Sequence, residues 1–368
     1  MNSSSDLEKT TVVILIIFVS VLILAYFVAM ALGLTLFFLT PEGLAFSKQS
    51  LSVVFPSGPY VFLFTFLIII FIPVNPNIGP IFLFLWSIYL VCFVVAWMLR
   101  ESLHKVIKSS ISRPLSYTLK NNLFAMPVIT GMVFTAILVL GFFQTSQGIP
   151  TGEVSLPPNP FAAFFELSYA PVVEEIGFRI TSIGIFLILF LFLAGGKSAA
   201  AMSGGKRLKA FFLSWLYPEK AKRMLGLKNV SDFGILRGIS IPEWMAVILT
   251  SAVFGWAHYY LGGGWEIGKI TLASIQGFAM GLAYLIYGVQ APILIHWYFD
   301  YYTYAYLTAY SFYPATTLLF SFSFLLTLAL GVIGWIILAV ILAVGVLRLR
   351  KNPGRQPEES ALSTLNFS

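Results

Sequence analysis

Cysteine, histidine and charge are all scarce in this sequence. The one cysteine, Cys92, lies in an apolar run, so the chain offers no intrachain disulfide and no CxxC-type metal site. Charged residues make up 10% of the 368 positions, against roughly 25% in soluble domains, which excludes an ordinary water-soluble fold. Only three histidines occur: His104 in a basic stretch, and His258 and His296 in apolar ones. No basic segment precedes the first apolar run and no small-residue cleavage site follows it, so Thr11 to Leu39 reads as a retained helix rather than a signal peptide.

What is present is apolar surface. Hydrophobic residues account for 58% and aromatics for 16%, and the mean hydropathy is +0.89. These values describe an all-α polytopic integral membrane protein of about 8–9 transmembrane helices. The net charge of +7 could suggest nucleic acid, but 18 of the 22 Lys and Arg fall in three stretches, 100–122, 195–240 and the tail from Arg348. That pattern is the positive-inside signature of a multi-pass protein. With no base-reading groups interleaved, no nucleic-acid partner is expected; the partner implied by the apolar surface is membrane lipid.

Hydrophobic runs divide the chain into nine expected spans: 11–39, 60–72, 81–99, 123–143, 161–193, 241–261, 270–288, 291–312 and 316–347. The Pro- and Gly-rich connections 73–80 and 144–160 read as turns. Nine spans place 100–122, 195–240 and the C-terminus on the cytoplasmic side and the N-terminus outside, in what reads as a prokaryotic plasma membrane. In the long basic loop, 206–225 reads either as an interfacial amphipathic helix or as a disordered connection. The organisation expected is therefore N-terminal helices over 1–150, a helical core over 151–315 that includes the basic loop, a last helix over 316–347 and a polar tail over 348–368.

Few ionisable residues lie within the spans: Glu166, Glu174, Glu175, Arg179, His258, His296 and Asp300. A charge at that depth costs a few kcal/mol or more, so each needs a partner or a task. Glu175 and Arg179 are four residues apart and can pair across one helical turn. His296 and Asp300 have the same spacing, which lets the carboxylate orient the imidazole. Glu174 points about 100° away from Glu175 and is left without a local partner. If Glu174 and the two histidines converge, they could activate a water and stabilise an oxyanion, or they could hold a catalytic divalent metal such as zinc with an open position. Spacing leaves both chemistries open. A proton- or cation-coupled transporter could use the same buried groups, although no internal repeat is visible; a scaffold whose charges merely pair would leave Glu174 and both histidines unexplained.

Three motifs in order carry a resemblance: Glu174-Glu175-Ile176-Gly177-Phe178-Arg179, Phe254-Gly255-Trp256-Ala257-His258, and Ala291-Pro292-Ile293-Leu294-Ile295-His296-Trp297-Tyr298-Phe299-Asp300. Over about residues 160–310 the chain resembles the CPBP intramembrane proteases, which include Rce1-type CAAX prenyl endopeptidases and Abi-type proteins. The resemblance implies a membrane endopeptidase acting on lipidated, CAAX-type prenylated or membrane-embedded substrates, with its site opening toward the cytosol. It implies Glu174 as general base, Glu175 held by Arg179, and His258 and His296 as oxyanion or metal ligands. The fourth group of that site is usually Asn and here is Asp300, whose added negative charge would favour a metal or a charged His296. Residues 1–150 fall mostly outside the resemblance. Counted from the basic side, His296 lies about 5 residues into its span and His258 about 17, roughly 8 and 25 Å at 1.5 Å per residue. The expected remedy is that 241–248 lies along the surface.

Overall fold

The computed structural model describes residues 6–55, 60–65, 68–113, 115–261 and 263–351. The polar tail beyond Lys351 therefore lies outside the described residues. The chain begins with α1 (Asp6–Leu39), α2 (Pro41–Ser47) and a hairpin of β1 (Tyr60–Phe64) and β2 (Ile69–Pro73), followed by α3 (Ile78–Met98), α4 (Leu103–Ser110) and α5 (Asn122–Ser146). The central part comprises α6 (Pro160–Glu175), a π-helical turn (Ile176–Thr181), α7 (Ser182–Ala194), α8 (Gly196–Ala201), α9 (Gly204–Leu216), α10 (Pro218–Met224) and α11 (Val230–Gly238). The last part holds α12 (Ile241–Tyr260), α13 (Ile267–Tyr287), α14 (Gln290–Trp297), a second π-helical turn (Tyr298–Tyr302), α15 (Thr303–Tyr310) and α16 (Thr316–Lys351).

Among the described residues, six helical stretches are long and apolar enough to cross a membrane, or seven if the bent pair α11–α12 counts as one span. The expected span at 60–72 is instead the antiparallel hairpin, with Tyr60 opposite Pro73 and Phe64 opposite Ile69. Length and composition explain the difference. A helical span needs about 20 apolar residues, and this run is shorter and rich in the β-branched and aromatic residues that suit a pleated strand. The span expected at 291–312 is helical, but Tyr-rich and interrupted by the π-turn.

Helices α1 and α3 are antiparallel: Phe27 meets Phe93, the Trp86 indole donates to the Met30 carbonyl, and Phe38 lies beside Gly79. The Asp6 end of α1 thus lies on the same face as Arg100. Residues of the basic stretches gather on that face. The Arg100 Nη2 donates to Ser231 Oγ at 2.6 Å, the Tyr287 hydroxyl donates to the Leu119 carbonyl at 2.7 Å, and the Val289 amide donates to the Leu216 carbonyl at 3.0 Å. Helix α9 packs here against α7, with the Trp215 indole donating to the Ile180 carbonyl at 2.8 Å. Of the two readings of 206–225, the helical one holds.

Local chemistry sets the helix starts. Asn159 caps α6 by accepting from the Phe161 and Ala162 amides, and Pro160 follows at the first helical position. Ser240 and Glu243 form a capping box at the start of α12. Lys222 locks that box: its Nζ lies 2.8 and 2.9 Å from the two Glu243 oxygens, with both side chains buried. Between α11 and α12 the chain bends by 65°. Helix α12 therefore runs unbroken from Ile241, and 241–248 does not lie apart from it as a surface segment. Close approach of α12 to α13 requires Gly255, where a Cβ would sit 2.3 Å from the Ile270 carbonyl oxygen. Helices α5 and α16 meet in the same way at Gly331, where a Cβ would sit 2.1 Å from the Gly131 oxygen. In a bilayer, where apolar burial alone gives helices little reason to associate, such small-residue contacts provide the packing.

The core behind α14 is aromatic and drawn from the N-terminal helices. Trp297 stacks on Tyr301 at 5.3 Å and meets Tyr26 edge-on at 5.7 Å; Phe37 stacks on Phe82 at 3.8 Å. The Tyr306 hydroxyl donates to the Ala25 carbonyl at 3.0 Å and the Tyr89 hydroxyl to the Ser168 carbonyl at 2.5 Å. Helices α1 and α3 thus buttress the elements that carry His296 and Glu174.

Candidate active site

Both paired motifs sit at π-helical turns. The first follows Glu175 and holds Arg179; the second follows His296 and holds Asp300. A π-turn widens the helix and leaves carbonyls without their usual partners, and such turns recur at functional sites. Side chains take up the slack. Thr181 Oγ1 donates to the Ile176 and Gly177 carbonyls at 2.9 and 2.8 Å, Ser182 Oγ donates to the Gly177 carbonyl at 2.6 Å, and Thr303 Oγ1 donates to the Tyr298 carbonyl at 3.1 Å. Gly177 is needed at the first turn because strand β1 lies directly on it: a Cβ there would be 2.5 Å from that of Phe64.

The two glutamates part company. Glu175 is fully buried, with Oε1 2.8 Å from Arg179 Nη1 and 2.9 Å from His296 Nδ1. Arg179, itself buried, also lies over the Phe254 ring at 4.3 Å. Glu174 turns away toward a cavity of about 680 Å3, and about 23% of its side chain is exposed. Its Oε2 lies 3.7 Å from His296 Nε2 and has no hydrogen-bond partner among the described residues. Asp300 Oδ2 is 3.3 Å from the same Nε2. His296 thus has a carboxylate at each ring nitrogen, a geometry in which both can donate.

His258 stands on the last turn of α12 and lines the same cavity. Its Nδ1 is 2.9 Å from the Phe254 carbonyl oxygen. That oxygen can only accept, so Nδ1 carries a proton and Nε2 is the free nitrogen. The Phe254 ring contacts both imidazoles edge-on, with centroids 4.6 Å from His258 and 6.0 Å from His296. With both imidazoles against one Phe254 ring, they lie closer together than the residue count implies, with no need for a displaced helix start. Among the described residues no group of three or more His, Cys, Asp or Glu side chains has metal-holding geometry. The set Glu174, His258 and His296 is not drawn together as a coordination shell.

The cavity is lined largely by apolar groups, including Phe62 and Phe64 of β1, with the carboxylates and imidazoles among them. Its loop lining comes from Val154 to Leu156 and from Leu261, Gly263 and Trp265. These two loops are tied together by a Gly152–Trp265 bridge and by the Ser155 amide donating to the Gly263 carbonyl at 2.6 Å. They follow α5 and α12 at the ends opposite the basic stretches. This loop lining of the cavity thus lies on the face away from the basic residues.

Several lining residues were not singled out from sequence. Lys269, with its Nζ 3.7 Å from the centre of the Trp265 ring, and Gln276 lie seven residues apart on one face of α13. Two polar positions at that spacing in an apolar helix were a legible signal. Glu166, two turns before Glu174, also lines the cavity. The hairpin and the loop residues reach it only through long-range folding.

Residues 157–302 match the family model described as Type II CAAX prenyl endopeptidase Rce1-like. No curated protein and no solved structure matches the chain significantly. The match begins just before α6, ends with the second π-turn and contains all three motifs. The segment that carries the ionisable residues of this cavity, within a multi-pass membrane protein, is thus similar to the Rce1-like type II CAAX prenyl endopeptidases.

Proposed function

We propose that the chain hydrolyses a peptide bond of a lipidated or membrane-embedded protein, with Glu174 as general base. The observation that carries this reading is the division of labour between adjacent carboxylates. Each carboxylate has an Oε2 without a hydrogen-bond partner among the described residues, but Glu175 is fully buried with its Oε1 held by Arg179 and His296, whereas Glu174 lines the cavity beside His296 Nε2. Glu174 takes a proton from a water, and the resulting hydroxide attacks the scissile carbonyl carbon. His296 donates to the tetrahedral oxyanion, held in place by Glu175 at its other nitrogen. Collapse breaks the carbon–nitrogen bond, and the proton held by Glu174 passes to the leaving amine. The fixed tautomer of His258 gives it a separate part: its Nε2 accepts a hydrogen bond and orients the attacking water from the mouth side.

Lys269, in the cavity with Glu174 and Asp300, supplies a cation for a substrate carboxylate. The aromatic and aliphatic lining suits a lipid chain or an apolar peptide. The test is cleavage of a fluorogenic prenylated peptide and of a membrane-embedded peptide by the full chain in proteoliposomes. Glu174→Gln, His258→Ala and His296→Ala should each abolish turnover while leaving expression intact. Full activity in Glu174→Gln would sink the proposal. A transporter would instead show proton-coupled flux in the same vesicles with no cleavage of either substrate.

A further inference from the structure

A second cavity, of about 760 Å3, lies on the basic face, away from the candidate active site. It sits where α3 ends and α10 and α11 fold back, at the level of the terminal Tyr287 of α13. Four cations line it: Arg100, Lys120, Lys220 and Arg223. Two carboxylates do so as well, but both are engaged. Glu219 accepts from the Val230 and Ser231 amides and the Ser231 hydroxyl at 2.6 to 2.9 Å, and Glu101 pairs with Lys105 at 2.6 Å.

The corner that presents Arg100 is built rather than loose. Arg100 takes a left-handed backbone conformation, φ 65°, which non-glycine residues rarely adopt. Asn121 holds it there. Its Nδ2 donates to the Ala96, Trp97 and Glu101 carbonyls at 3.1, 2.9 and 2.7 Å, and residues 100 and 121 form an isolated bridge. Arg100 Nη2 is fixed by Ser231, and the guanidinium lies 5.3 Å from the centre of the Tyr287 ring. Nη1 is buried and has no partner among the described residues. Burial lowers the Lys120 pKa, and Arg100, Arg113 and Arg223 push the same way against Glu101. Arg223 also meets Asp232 at 3.5 Å, in an exposed pair, which leaves Arg100, Lys120 and Lys220 crowded here without a carboxylate among the described residues pairing with any of them.

We propose that this cavity binds a phosphate-bearing anion, either the headgroup of an anionic membrane lipid or a soluble phosphate. A guanidinium with a free nitrogen, flanked by ammonium groups, matches the charge and the donor geometry of phosphate. Its place at the membrane boundary, on the face that gathers Lys and Arg, is where an anionic headgroup would be met. The probes are dioctanoyl-phosphatidylglycerol, dioctanoyl-phosphatidylcholine and inorganic phosphate, each titrated into the purified full chain in a neutral detergent. The readout is the thermal unfolding midpoint.

Phosphatidylglycerol should raise the midpoint and phosphatidylcholine should not. The half-saturating concentration should rise at least tenfold in Lys120→Gln/Arg223→Gln and stay within twofold in Lys206→Gln/Lys209→Gln, which removes equal charge from α9. If the double variant does not fold, Arg223→Gln, at a solvent-exposed position, replaces it. A shift with inorganic phosphate at equal concentration makes the ligand a soluble phosphate; a shift with phosphatidylglycerol alone makes it a lipid. No shift with either, or an equal response in the α9 variant, overturns the proposal.

Discussion

Neutralising Glu174 and neutralising Glu175 should damage the protein in different ways. Glu175 and Arg179 meet at 2.8 Å with side chains no more than 1% exposed. Removing one member of such a pair leaves the other charge buried and uncompensated, at a cost of about 3–5 kcal/mol. Glu175→Gln should therefore destabilise by about that much. Arg179→Met should do the same, losing in addition the guanidinium over the Phe254 ring. The double variant Glu175→Gln/Arg179→Met removes both charges together, and such replacements are often close to neutral. Its destabilisation should fall short of the sum of the singles by about 2 kcal/mol or more, within the range typical of coupled neighbours. Activity should not recover with stability. His296 loses the carboxylate at Nδ1, and losing an orienting partner typically costs about 10–100-fold.

Glu174→Gln should show the reverse pattern. Its Oε2 has no hydrogen-bond partner to lose, only a long 3.7 Å approach to His296, so stability should hold or rise, while turnover falls by about 10²–10⁴-fold as expected for a lost general base. Stability is read by reversible unfolding in mixed SDS micelles, and turnover by peptide cleavage in proteoliposomes. The reasoning is refuted if the Glu175 and Arg179 effects simply add, or if Glu174→Gln destabilises as much as Glu175→Gln while activity persists.

Asp300→Asn should keep turnover within about threefold of the parent: an amide can still contact His296 Nε2, 3.3 Å away, and adds no charge beside Glu174. A hundredfold loss would show that the charge itself is needed. Lys269→Gln should raise KM for a peptide with a free C-terminal carboxylate and leave an amidated peptide unchanged; equal effects on both would remove Lys269 from substrate recognition. With Cys92 buried, single cysteines can report sidedness. In intact cells Ser155→Cys, at the cavity mouth, should react with a membrane-impermeant maleimide, and Lys209→Cys should react only after lysis. The opposite pattern would place the mouth in the cytosol and favour cytosolic prenylated substrates.

The parts of the fold legible in the sequence are those set by long apolar runs. Helices α1, α3, α5 and α16 and the long α6–α7 stretch lie within a few residues of the expected spans because burial in lipid leaves the backbone few alternatives. The hairpin was not legible as a hairpin. A short run such as Tyr60 to Ile72 carries no periodicity that separates strand from buried helix, and only the need for about 20 residues argues against a span. That one reading bears on every topology assignment before it, because each depends on parity. The bend before α12 was hidden for another reason. The ion pair that secures it joins Lys222 to Glu243, 21 positions apart and across a loop whose folding the local pattern does not determine.

At the site, spacing within a helix foretold contacts within a helix. Glu175 with Arg179 and His296 with Asp300 are found as the i, i+4 rule requires. Spacing could not show that His296 would reach across to Glu175, 121 positions away, because that contact depends on two π-turns facing each other. The bond also changes the meaning of the depth argument. Counting residues placed the histidines too far apart for one centre on the assumption that both spans begin at the same level. They do not: His296 is fixed beside the carboxylates, His258 stands on the last turn of α12, and the Phe254 ring touches both imidazoles. A water held between Glu174 and His258 and an oxyanion held by His296 are separate positions along one cavity. Two imidazoles on one shared ring, only one of them bonded to a carboxylate, are what such a division of tasks requires.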